Sequence, residues 1–154
     1  MVEINKNVKL SEHFTLAEMT KTSVKTADGN IPSHVHIENL KRLCGWLERL
    51  RDEWNRRYGE GNDPIIINSG YRSPQVNKAV GGASNSNHLT GCAVDIRCAG
   101  IEQALRYATT LLDISDESGE DFDELLIEKS AKSIWVHFAV RPEGNRMKIR
   151  FIQT

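Results

Sequence analysis

A histidine and an aspartate, His88 and Asp95, stand seven residues apart in the stretch SNSNHLTGCAVDI (84–96), with Gly91 between them. Zinc accepts imidazole nitrogen and carboxylate oxygen together, so this pair is a candidate for two ligands of a metal site. Residues after Gly91 read as extended, which puts Ala93, Asp95 and Arg97 on one side of a strand and Val94 and Ile96 on the other. The best candidate for a third ligand lies downstream at His137, in SIWVHFAV. Two histidines and one aspartate leave a fourth position for water, as catalytic rather than structural zinc does. The bland alternative is a hydrogen-bonded histidine and a strand aspartate paired with an arginine.

Zinc lowers the pKa of a bound water towards ~7, but the water still needs a proton acceptor. Glu128 closes the run LLIE, next to the strand of His137, and is the candidate base. An ordinary exposed glutamate at a hairpin is an equal reading of that residue. Arg72, in SGYRSP between Gly70 and Pro74, carries a planar guanidinium suited to bidentate capture of a substrate carboxylate. Ser86, two residues before His88, is a candidate to bind substrate or to support the ligand loop.

The elements that must position these groups follow from patterning. Thr15 with Glu18 forms a capping box, and Phe14 is placed as its hydrophobic staple, so a short helix starts there. Ile37, Leu40, Leu43, Cys44, Leu47, Leu50 and Trp54 recur at three and four, predicting one long helix over 33–58. Residues 64–68 (PIIIN) read as a short buried strand, and 76–82 as a short helical or irregular stretch. Ile101, Ala104, Leu105, Ala108, Leu111 and Leu112 predict a second main helix, followed by an acidic loop over 113–123. Strands are expected at 125–128, 134–140 and 147–152, the last three forming an antiparallel meander. The expectation is a single α+β domain over 1–154, an antiparallel sheet with two main helices.

Composition narrows the function classes. Charged residues make up 27% of the 154 and nearly cancel, to a net charge of -1, so no nucleic-acid or anionic-membrane partner is expected. No apolar run approaches the roughly 20 residues of a membrane span. Cys44, Cys92 and Cys98 are an odd count without CxxC, which argues against a disulfide framework and a thiolate zinc site. The N-terminal stretch MVEINKNVKLSEHF has neither the apolar core nor the cleavage site of a secretory signal. The expectation is therefore synthesis in the cytoplasm, with any action elsewhere following release.

SGYRSPQVN (69–77), SNHLTGCAVDI (86–96) and the strand with WVH together resemble the zinc D-alanyl-D-alanine carboxypeptidase-like peptidases. That family shares the hedgehog/D,D-peptidase fold with vancomycin-resistance D,D-dipeptidases, phage L-alanyl-D-glutamate endolysins and the hedgehog signalling domain. The pattern SxHxxGxAxD is complete at Ser86, His88, Gly91, Ala93 and Asp95, and LSEHFTLAEMT (10–20) is similar to phage and Bacteroidetes-type members. The resemblance implies Zn2+ held by His88, Asp95 and His137, with Arg72 binding substrate. Many members place the catalytic acid three residues before the last histidine, where this chain has Ile134. The phage-like subgroup places it upstream on the neighbouring strand, which matches Glu128, with Glu124 the weaker substitute. The expected function is a monomeric zinc metallopeptidase cutting peptidoglycan stem peptides, as a D-Ala-D-Ala carboxypeptidase or an L-Ala-D-Glu-type endopeptidase of phage or mobile-element origin. The alternative is a catalytically inactive zinc-containing binding module of the hedgehog type.

Overall fold

The computed structural model describes residues 4–154; the first three residues of the stretch judged free of a leader lie outside the described residues. Its spine is α2 (His34–Arg57), which buries Leu40, Leu43, Cys44, Trp46, Leu47, Leu50 and Trp54 along one face. Ser33 caps it, accepting the His36 N–H while the His36 ring accepts the Ser33 N–H. Helix α4 (Ile101–Ser118) packs beside it, and Trp54 meets Tyr107 edge-on at 4.7 Å. This helix runs through 113–118, where an acidic loop was expected. Ile114 and Ser115 keep its buried face going while Asp116 and Glu117 point to water, so the acidic residues are a solvated helix face.

Two short helices complete the set among the described residues, α1 (Leu16–Met19), opened by the expected capping box, and α3 (Pro74–Ala79). No helix among the described residues is long and apolar enough to cross a membrane. The sheet has five strands, β1 (Ile67–Ser69), β2 (Ala93–Arg97), β3 (Glu124–Lys129), β4 (Ile134–Ala139) and β5 (Lys148–Gln153), in the order β1-β2-β4-β3-β5. Strand β1 starts three residues later than the apolar run 64–68 suggested.

The expected antiparallel sheet is corrected to a mixed one. Strands β3 and β4 form the antiparallel hairpin, but β5 pairs with β3 in parallel, so the last three strands are not a meander. The end of β4 lies beside the start of β3, since Ala139 pairs with Glu124. The chain then crosses the start of β3 to reach its far side, where Lys148 also pairs with Glu124. Starting at the same end as β3, β5 can only run the same way. Asp123 anchors the crossing, accepting from Arg146 Nε at 2.9 Å and Arg146 Nη2 at 2.8 Å.

The sheet's two faces differ. Val94, Ile96, Leu125, Val136 and Phe138 are fully or almost fully buried in the apolar core with α2 and α4. The alternate residues Asp95, Glu124, Leu126, Glu128, Trp135 and His137 line a cavity of about 620 Å³ on the other face.

Candidate metal centre and active site

Strand register brings the site together. Asp95 on β2 is directly opposite His137 on β4. His137 is opposite Leu126 on β3, so Glu124 and Glu128, two residues to either side of Leu126, are its diagonal neighbours. His88 arrives from outside the sheet, on a 3-10 turn spanning Asn87–Thr90. Ser86 starts that turn by accepting the His88 N–H on its Oγ at 3.1 Å, and it also lines the cavity. Gly91 ends it at φ 74°, where a Cβ would stand 2.6 Å from the His36 carbonyl oxygen.

His88, Asp95 and His137 are all buried and each offers a donor atom within 4.8 Å of the others. His88 Nε2 lies 3.3 Å and His137 Nδ1 3.1 Å from Asp95 Oδ1. Tetrahedral zinc with bonds of about 2.0–2.1 Å separates its ligand atoms by roughly 3.3–3.4 Å, so these spacings fit such an ion. The remaining atoms of each side chain are held from behind. A carbonyl oxygen only accepts, so His88 Nδ1–H donates to Gly70 O at 2.7 Å, which makes Nε2 the nitrogen available to a metal. Asp95 Oδ2 accepts from Arg72 Nη2 at 3.2 Å. His137 Nε2–H donates to Glu124 Oε1 at 3.0 Å. Metal-binding side chains characteristically have such outer partners.

Charge within the site is matched. Burial pushes the Asp95 carboxyl up, but the His88 charge and the hydrogen bonds from both histidines outweigh it, holding the group well below the usual carboxylate range. Burial alone would lower His137, yet hydrogen bonds to Asp95 and Glu124 raise it to about 9 in the metal-free chain. The His137 hydrogen bond, assisted by its charge and by Asn87, holds Glu124 down at about 2 against the opposing effect of burial.

The other expected site residues line the same cavity with different partners. Glu128 Oε2 accepts from Trp135 Nε1 at 2.8 Å and makes no hydrogen bond or ion pair with His137. Arg72 donates to Ser69 Oγ and Asn77 Oδ1 as well as to Asp95, which uses three of its five N–H groups. The sequence reading missed Asn87, whose Nδ2 donates to Glu124 Oε1 at 2.7 Å and to Asp123 Oδ2 at 2.8 Å. It also missed Arg141, which donates to Asn87 Oδ1 at 3.0 Å. Asn87 adjoins His88 in sequence, and that adjacency was the available signal.

Comparison with known proteins agrees with this geometry. The family model described as Peptidase M15 matches residues 12–136, which include His88, Asp95, Glu124 and Glu128 and end just before His137. Among curated proteins, the zinc D-Ala-D-Ala carboxypeptidase of Streptomyces albus G is 32% identical over 84 residues, 54% of this chain. The match spans 31% of that relative's length, so the chain corresponds to less than a third of it. With the family model covering most of its length, the chain belongs to the peptidase M15 family.

Proposed function

We propose that this protein is a zinc metallopeptidase that hydrolyses peptide bonds in peptidoglycan stem peptides. The observation that carries the reading is the convergence of His88, Asp95 and His137 on the floor of an open cavity, at spacings that fit zinc. The zinc D-Ala-D-Ala carboxypeptidase likeness supports the substrate class. When bound, zinc supplies Lewis acidity, lowering the pKa of a water and polarising the scissile carbonyl.

The chain's own groups do the rest. Glu128 takes the proton of the attacking water and returns it to the leaving amine, the two halves of general base and general acid work by one carboxyl. Trp135 Nε1–H fixes one of its oxygens and leaves the other to meet the water. The two guanidinium N–H groups that Arg72 does not spend on Ser69, Asn77 and Asp95 hold a substrate carboxylate and orient the amide.

The test is metal content together with hydrolysis of purified muropeptides, on the wild type and on Glu128→Ala. Stoichiometric zinc in both proteins, with cleavage lost only in the variant, is the expected result, and product masses name the bond cut. Zinc without cleavage in either protein overturns the peptidase reading in favour of a binding module.

A further inference from the structure

Two glutamates flank His137 at equivalent diagonal positions, and only Glu124 hydrogen-bonds to it. We propose that Glu124 is a positioning residue: by taking the Nε2–H of His137 it commits Nδ1 to the metal, leaving Glu128 free for proton transfer. The inference rests on the zinc reading above and goes beyond it, because it gives separate roles to two carboxylates on one face of β3.

Neutral imidazole carries one N–H, and which nitrogen bears it decides which can bind a metal. An ionised carboxylate can only accept, so Glu124 Oε1 at 3.0 Å requires the N–H at Nε2. In the metal-free ring Nδ1–H faces Asp95 Oδ1, 3.1 Å away, on the side where His88 Nε2 also points, so that is the proton a metal there displaces while Glu124 keeps the Nε2–H. Glu124 is itself fixed. Its Oε1 takes a second hydrogen bond from Asn87 Nδ2 at 2.7 Å, and Asn87 is tied in turn to Asp123 and Arg141. Two donors on that oxygen make Glu124 a poor partner for a mobile water proton. Among the described residues Glu128 has a single hydrogen-bond partner, the Trp135 indole. Asn87 immediately precedes His88, so one short turn supplies a metal ligand and the residue that steadies the orienting acid of another.

The test compares zinc affinity, by chelator competition, and the visible spectrum of the cobalt-substituted protein in the wild type, Glu124→Ala and Glu124→Gln. A glutamine oxygen still accepts the Nε2–H, whereas alanine leaves it without a partner. Loss of the partner should weaken zinc about 10- to 100-fold in Glu124→Ala. Glu124→Gln should recover most of that affinity, keep a wild-type-like cobalt spectrum, and hydrolyse muropeptides within about tenfold of wild type when zinc-saturated. Unchanged zinc affinity in Glu124→Ala overturns the proposal, and so does a Glu124→Gln protein that binds zinc fully but does not cleave, since Glu124 would then be the base. If the alanine variant does not fold, 15N spectra of the zinc-loaded wild type decide: His137 must be protonated at Nε2, and protonation at Nδ1 overturns the assignment. A wild type that binds no zinc would fail at the underlying reading, a result distinct from zinc bound equally with and without Glu124.

Discussion

The indole N–H of Trp135 donates to Glu128 Oε2 at 2.8 Å across the β3–β4 hairpin, where the two residues are directly paired. The proton transfer proposed for Glu128 needs a carboxyl of fixed direction, and this bond supplies it without involving His88, Asp95 or His137. Trp135→Phe keeps an aromatic ring at the position and removes the donor. A hydrogen bond to a charged group is worth about 1.5–3 kcal/mol, part of which the freed carboxylate regains from water. The expected result is a fall in kcat of roughly tenfold, ~1.4 kcal/mol, with zinc content unchanged. Steady-state muropeptide hydrolysis with metal analysis on the same samples checks it, and an unchanged kcat would remove Trp135 from the site's function.

Metal removal gives the second prediction. Under the proposed assignment zinc binds only the folded chain, because His88, Asp95 and His137 come from the 3-10 turn, β2 and β4, and no such array survives unfolding. At zinc one hundred times its Kd, folding gains about 2.7 kcal/mol. For a domain of this size that corresponds to a rise in Tm of roughly 5–10 °C over chelated protein. His88→Ala should show little or no such rise. Differential scanning calorimetry with zinc and with chelator makes the comparison; equal shifts in both proteins would mean that zinc acts elsewhere.

Much of this site was legible because strand alternation is local. The residues around Asp95 placed its carboxylate on one face and Val94 and Ile96 in the core, and the structure has them there. Glu128 was read as the base with Glu124 its weaker substitute, but which of them reaches His137 was not legible, because that depends on register with β4. The parallel pairing of β5 was illegible for a related reason. Its pattern describes a half-buried strand, while its direction is set by the crossing that Asp123 and Arg146 hold, a contact 23 residues long in sequence. At the acidic stretch 113–118, charge was mistaken for loop, although Ile114 and Ser115 continue the buried face of α4.

Gly70 links the SGYR turn to the metal centre. A Cβ at this position would run into the Met19 carbonyl oxygen, while the residue's own carbonyl accepts the His88 Nδ1–H. Gly70→Ala must therefore push the turn away from α1 and move the acceptor that orients His88. Overpacking of this kind costs about 1–3 kcal/mol, and urea denaturation should show a loss in that range. Zinc affinity should fall with it, because the His88 ring loses its fixed tautomer. A destabilised variant with wild-type zinc affinity would show that the Gly70 carbonyl serves packing alone.

Asp123 should set part of the acid limit of the fold. Burial pushes its carboxyl up, but hydrogen bonds from Arg146 and Asn87 and the Arg141 charge prevail, bringing it to about 2 from an ordinary 3.8. Its folded pKa thus lies below its unfolded one, so between those values the unfolded chain binds more protons. The stability Asp123 contributes is complete above about pH 4 and is lost as pH falls from 4 towards 2. Asp123→Asn resembles the protonated acid in shape and charge. The variant should be less stable than wild type at pH 7, by about 1–3 kcal/mol, with Arg146 released from the crossing between β4 and β5. As pH falls from 4 to 2 that gap should close, because the wild type then loses the same charge. Asp95 and Glu124 are also held low, so both proteins retain some acid sensitivity, and the informative quantity is the difference between their denaturation curves. A gap that stays constant from pH 7 to pH 2 would show that the Asp123 charge does not anchor the crossing.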